Sequence, residues 1–304
     1  MPDMKNDENK KLPNRETPLF ILGNNRSGTS LLRLILTCHE EIVIPPESHF
    51  LLWNYNKYRF WQPENGYENF LFDLFNSTKF ETWGLDKQEV ESFLNFRKPI
   101  SYSQLCADIY ILFGVKQNKI ASLWGDKNSL WIEKMPLLYS LYNKAKFIHI
   151  VRDGRDVATS YLDINQYSGP RHKYFPKLPN QIEQIAEIWN NNVLSISRFL
   201  SQIPTHNYLE IKYEDLVCQN ETVINTVLTF LNVPLSPSIF DYYEINKSKH
   251  LEPEEFLGWK AKLNEPLDRS NVGKYKYRLA PSDIKIFEQI AAEALERYGY
   301  PKND

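Results

Sequence analysis

The stretch that most limits what this chain can become is PLFILGNNRSGTSLLRLIL, residues 18 to 36. A short apolar run, Leu19 to Leu22, has the character of a strand buried on both faces, and Leu31, Leu32, Leu34, Ile35 and Leu36 supply the apolar face of a helix. Between them lies GNNRSGTS. A helix that begins straight after such a turn offers unpaired N–H groups and the positive end of its dipole, which together suit an anion. The loop nearly matches GxxxxGK[ST], with Gly23, Gly28 and Ser30 in register, but Thr29 occupies the lysine position. A nucleotide triphosphatase or kinase depends on that lysine at the outer phosphates, so the departure weakens such a reading. Arg26 is the nearest replacement cation. A glycine turn joining strand to helix in any α/β protein would look the same, and the rest of the chain must decide.

At 304 residues, 42% hydrophobic and 24% charged, the chain is large enough for one sizeable α/β domain. A single domain over 17–304 is expected, preceded by a mobile polar tail over 1–16 with little apolar surface to order it. A net charge of −2 argues against a general nucleic-acid binder. The three cysteines, Cys38, Cys106 and Cys218, lack metal-ligand spacing and fit a reducing compartment. The polar N-terminus has no signal-peptide core, and no segment approaches the ~20 apolar residues of a membrane span, so a cytoplasmic protein is expected.

Further along, Ile42 to Ile44 reads as a second strand ending at Pro45-Pro46. Ligands gather beyond strand ends in open α/β sheets, which puts Glu47 and His49 in a position to take a proton; a solvated loop acid or a helix cap is the plainer reading of Glu47. Residues 50–83 are dense in aromatics, either core or the walls of a pocket. Ser101 to Val115 reads as a helix. Phe147 to Val151 is another buried strand, followed by a turn through Gly154 and a helix bearing Tyr161 and Leu162. Arg152 at the strand end and Ser160 on the helix could grip a phosphate by fork and hydroxyl. The alternative is a surface salt-bridge cluster of Arg152, Asp153, Arg155 and Asp156. Ile182 to Ile203 marks an amphipathic helix closed by Pro204, Tyr208 to Tyr213 a further strand, and Glu221 to Leu231 a helix, which continues the β/α alternation. A last helix runs from Pro281 towards Gly299. The stretch from Asp241 to Pro281 is long and lacks periodicity, as functional or disordered loops do.

Assembled, these pieces resemble the sulfotransferases that use 3′-phosphoadenosine 5′-phosphosulfate (PAPS), in their tyrosylprotein-like and bacterial branches. GNNRSGTSLLR is similar to the family's 5′-phosphosulfate loop and FIHIVRDGRDVATSY to its 3′-phosphate unit. PPES resembles the strand-end glutamate segment, WGDK the second cationic site, and SNVGKYK, more loosely, the C-terminal lid over the 3′-phosphate. The resemblance implies a P-loop-type three-layer α/β/α domain with a central parallel sheet, in agreement with the alternation. It also implies transfer of a sulfuryl group from PAPS to an acceptor hydroxyl or amine without a metal, releasing adenosine 3′,5′-bisphosphate. On this reading Arg26, Ser27, Gly28, Thr29 and Ser30 hold the 5′-phosphosulfate, and Arg152, Ser160 and Lys274 hold the 3′-phosphate. Lys127 and Arg26 stabilise developing charge. Glu47, rather than His49 or His39, is the base. The acceptor is open: the aromatics of 50–83 and the basic loop 169–177 are candidate contacts, and neither an acceptor class nor an oligomeric state is legible. A P-loop kinase with a displaced cation and a non-catalytic nucleotide-binding protein are the alternatives.

Overall fold

The computed structural model describes residues 14–119 and 122–302. Five strands form one sheet in the order β2-β3-β1-β4-β5: β1 is Leu19–Leu22, β2 Ile42–Val43, β3 Leu123–Lys127, β4 Lys146–Val151 and β5 Tyr208–Lys212. The sheet is parallel, with Leu19 opposite Gly125 and Ile42 opposite Leu123, and helices flank it. This is the α/β/α arrangement that the alternation predicts. Four of the strands follow the sequence reading to within about a residue. β3 does not, because LWGDK looks neither apolar nor alternating. It is nonetheless wholly buried. Glycine is what lets it pair there: a β-carbon on Gly125 would stand 2.5 Å from the Leu19 carbonyl oxygen.

The chain divides into two compact units. The first comprises residues 1–21, 33–147 and 236–242. Its core is aromatic. The Phe20 ring meets Trp124 and Trp131 edge-on, and Trp124 stacks on Tyr110 with centroids 4.7 Å apart. Tyr110 belongs to the helix Tyr102–Lys116, which begins at Ser101 as expected, with the Ser101 hydroxyl accepting from the Gln104 N–H. In the aromatic stretch, Phe50, Phe70, Phe80 and Trp83 are core, whereas Trp53, Phe60 and Phe72 are exposed. Residues 1–13 of the expected tail lie outside the described residues. Of its remaining members, Arg15 forks onto the buried Asp108 at 2.9 and 2.7 Å, and the Asn14 carbonyl accepts from the Trp124 indole at 3.1 Å.

The second unit comprises residues 22–32, 148–235 and 243–304. The helices Gly154–Asn165, Ile182–Leu200 and Pro281–Ile290 enclose a core that includes Tyr161, Ile185, Trp189 and Phe287. The aperiodic stretch after Asp241 is not one loop. It breaks into short helical pieces, among them Glu254–Lys260 and Tyr275–Arg278, each too short to show a period. Phe256 and Trp259 bury themselves with Ile164, which supplies the stability such short helices lack alone. Among the described residues, no helix is long and apolar enough to cross a membrane.

Candidate functional site

β1 runs out into the Gly23–Ser30 loop, which belongs to the second unit, and on into the helix Thr29–Thr37. Two residues hold the loop in left-handed backbone, Arg26 at φ 66° and Gly28 at φ 94°. A β-carbon on Gly28 would lie 2.5 Å from Cδ2 of Tyr213, so the aromatic ring and the glycine require one another. Ser27 is buried, and its hydroxyl has no partner among the described residues. Asn24 is fixed at the loop's base by the Asn192 amide, 2.7 Å away. The N–H groups of the helix's first turn have no acceptor within the helix. The loop therefore offers unspent donors.

Arg26 and Arg152 meet beside this loop. Arg26 Nε donates to the Ser160 hydroxyl at 3.2 Å, and Arg152 Nη1 donates to the Arg26 carbonyl at 3.2 Å. Arg152 Nη2 donates to the Asn271 carbonyl at 2.7 Å, and its guanidinium lies 4.4 Å from the centre of the Tyr213 ring. Its Nε is buried and has no partner among the described residues. Neither arginine forms an ion pair among the described residues. Burial, with repulsion from Arg152, pulls the Arg26 guanidinium down to about 10. A part-buried arginine weakened by the buried cation beside it, next to unspent donors, makes a site that gains by taking an anion. The expected salt-bridge alternative applies to Arg155 instead: it is buried and paired with Asp153 and Glu288.

The segment from 262 to 278 adds more positive charge. Lys262 Nζ donates to the Asn271 side chain at 2.7 Å, and Lys274 pairs with Asp163 at 3.0 Å. Burial pulls the Lys274 ammonium down; Asp163 opposes this, and Arg152 and Lys262 add to it. The structure thus brings together, within one unit, Arg26, Ser27, Gly28, Thr29 and Ser30 with Arg152, Ser160 and Lys274.

The first unit holds a separate cluster. Glu47 follows β2 and Pro45-Pro46, in a segment clamped by the Trp83 indole on the Pro46 carbonyl and the Asn128 amide on the Ser48 carbonyl, at 2.9 and 2.8 Å. Its Oε2 meets Lys79 Nζ at 2.6 Å. Its Oε1 accepts from the Ser129 N–H at 3.2 Å and lies 3.6 Å from Lys127 Nζ, at the end of β3. His49, two residues on, packs edge-on against Trp53. Burial, aided by Lys79, pushes its imidazole down to about 4, so it is neutral at physiological pH. Asp126, under the same strand end, accepts from the Tyr110 hydroxyl at 2.8 Å, and burial pushes its carboxyl up to about 7. His39, buried, uses Nδ1 to accept the Glu41 N–H at 3.0 Å, a structural task.

Sequence reasoning missed Lys79, Tyr213 and Lys262. Lys79 lies in the aromatic stretch, in left-handed backbone at φ 67°, and only tertiary structure carries it to Glu47. Tyr213 was placed at the end of β5, but nothing in YLEIKY signals a ring between Gly28 and Arg152.

A parallel α/β sheet with an anion loop after its first strand defines a P-loop-type fold built for a phosphate-bearing ligand. The chain belongs to the sulfotransferase family, whose model matches residues 18–237. Over 97% of its length it is 24% identical to a protein-tyrosine sulfotransferase of Drosophila melanogaster, and over 94% it is 22% identical to protein-tyrosine sulfotransferase 1 of Danio rerio. It spans 54% of the Drosophila protein and 73% of the Danio rerio one. Its fold is that of the sulfotransferase domain of the curacin biosynthetic pathway, at 22% identity and a TM-score of 0.58, covering 96% of this chain and 100% of that one. The sulfotransferase domain of the Synechococcus PCC 7002 olefin synthase is equally similar in fold, at 23% identity and a TM-score of 0.58, covering 92% and 96%.

Proposed function

We propose that this chain transfers a sulfuryl group from PAPS to an acceptor hydroxyl or amine, releasing adenosine 3′,5′-bisphosphate. The observation that carries the reading is the pair of part-buried Arg26 and buried Arg152, which form no ion pair among the described residues, beside the Ser27 hydroxyl and Arg152 Nε, which find no partner there. A donor with phosphate at both ends of its ribose gives each of these groups an oxygen. Arg26, Ser27, Gly28, Thr29 and Ser30 take the 5′-phosphosulfate, while Arg152, Ser160 and Lys274 take the 3′-phosphate. The Ser160 hydroxyl can accept from Arg26 and still donate its own hydrogen to phosphate.

In the reaction Glu47 accepts the acceptor's proton as the new bond from oxygen or nitrogen to sulfur forms. The bond between sulfur and the bridging phosphate oxygen breaks, and Arg26 and Lys127 stabilise the charge that develops there. His49 is the rival base, but its ring packs edge-on against Trp53 and burial takes from it the basicity near neutrality that makes histidine efficient in this role. A kinase reading lacks its lysine at Thr29. The relatives' names put phenolic side chains first among acceptors to try, and three free thiols fit a reducing, cytoplasmic setting.

Calorimetry tests the donor. Arg152→Ala should weaken adenosine 3′,5′-bisphosphate far more than AMP, since a charge-assisted contact contributes ~1.5–3 kcal/mol. Equal losses for the two ligands would remove the assignment. Transfer of labelled sulfate across peptide, phenol and carbohydrate acceptors tests turnover, and binding without transfer to any of them would favour a non-catalytic nucleotide-binding protein.

A further inference from the structure

The helix Gly154–Asn165 turns three acceptors along one face, Asp156, Ser160 and Asp163, at the i, i+4 and i+7 positions. Each is engaged by a different part of the phosphate site. Asp156 accepts the Gly273 and Tyr275 N–H groups at 2.7 and 2.9 Å and so anchors the 262–278 segment by its backbone. Ser160 accepts from Arg26. Asp163 takes side chains: Lys274 at 3.0 Å on one oxygen and Arg278 at 2.7 Å on the other.

These contacts differ in what they permit. The Asp156 contacts hold backbone and can persist whatever the lysine does. The Asp163 contact occupies the ammonium itself, and Lys274 is mostly buried, with 14% of its side chain exposed, so it has few other places to go. Asp163 also counters the loss of charge at Arg26, which puts its field inside the cationic cluster. Asp163 is 40% exposed and fills no core position.

We propose that Asp163 is an internal counter-anion that competes with the nucleotide's 3′-phosphate for Lys274 and thereby sets how tightly the bisphosphate is held. The inference rests on the donor reading given above. A lysine that spends most of its time on Asp163 is competent for phosphate only in the remaining fraction, and the apparent affinity falls by that fraction. A carboxylate within this cluster also repels the incoming phosphate directly. Asp163 is thus a residue that acts most on the 3′-ester, whose lysine it holds directly, and less on the 5′-ester, which it reaches through its field at Arg26.

The test is calorimetry of Asp163→Asn at low ionic strength, with adenosine 3′,5′-bisphosphate and AMP as probes. The bisphosphate should bind about fivefold more tightly than to the wild type, the effect of releasing one partly exposed ion pair, and AMP should gain clearly less. Asp163→Glu, which keeps the charge, should stay near wild type. Bisphosphate affinity that is unchanged, or weakened relative to AMP, in a variant with normal melting temperature would show that Asp163 merely props the segment. If Asp163→Asn does not fold, Asp163→Ser takes its place with the same expected gain. A wild-type chain that binds the two nucleotides equally would instead remove the donor reading and this inference with it, because no 3′-phosphate would then reach Lys274.

Discussion

Replacing Glu47 by glutamine is the obvious way to ask whether this carboxylate is a base, and the geometry shows that the single variant is ambiguous. Lys79 sits 2.6 Å from Oε2, while the Ser129 N–H and Lys127 sit 3.2 and 3.6 Å from Oε1. A glutamine has one oxygen. Whichever way its amide turns, its NH₂ group faces an ammonium, so the substitution removes a proton acceptor and displaces a lysine together. A lost base lowers turnover by roughly 10²–10⁴-fold, or about 2.7–5.5 kcal/mol. A lost charge-assisted contact at this nearly buried pair is worth ~1.5–3 kcal/mol, so the two causes overlap in size. Pairing Glu47→Gln with Lys79→Met separates them, since the amide NH₂ can then turn towards Oε2's place without opposing a cation. In single-turnover sulfuryl transfer at saturating acceptor, the double variant should remain at least ~100-fold below Lys79→Met alone. Recovery to within tenfold of that parent would refute the base assignment and leave Glu47 as an anchor for two lysines.

Lys127→Ala should lower kcat by some hundreds-fold with the melting temperature nearly kept, as removal of a preorganised donor does, ~2.7–4 kcal/mol; near-normal kcat would make Lys127 a strand-end lysine only. His49→Asn should cost less than about tenfold in kcat, because an imidazole pushed down to about 4 lies far from the pKa near neutrality that makes histidine an efficient base; a larger loss than in the Glu47 series would transfer the role to it. Asp126 binds its proton more tightly folded, at about 7 against 3.8, so the stability it confers is full below pH 3.8 and is lost as pH rises through 7. Asp126→Asn should therefore gain melting temperature relative to wild type between pH 5 and 8, and a flat or falling difference would show that Asp126 titrates elsewhere.

Much of this was legible in the sequence because local pattern and tertiary outcome agree. Leu19–Leu22 is apolar, the loop after it carries its glycines in register, and the strand and helix fall where the pattern puts them. Arg152 and Ser160 could be picked out for the same reason, lying a strand end and a helix face apart. β3 could not. Its burial depends on a glycine passing under Leu19 and on Asp126 finding the Tyr110 hydroxyl, and both partners are remote in sequence. The pairing of Lys79 with Glu47 is hidden likewise, and so is the division of the aromatic stretch, where Phe80 is buried and Phe60 is 81% exposed with no difference in residue type. The helices between Asp241 and Pro281 are hidden because four to eight residues hardly display a 3.6-residue period.

The ring of Tyr213 lies against Gly28 on one side of the site and carries the Arg152 guanidinium on the other. A larger residue at position 28 is therefore admissible only with a smaller one at 213, and a smaller one at 213 leaves the arginine without its platform. The three positions should drift together among descendants of this chain, so that a change at Gly28 is inherited with its compensation at Tyr213 and Arg152. Their joint variation, more than the constancy of any one of them, is the mark this ring leaves on a lineage.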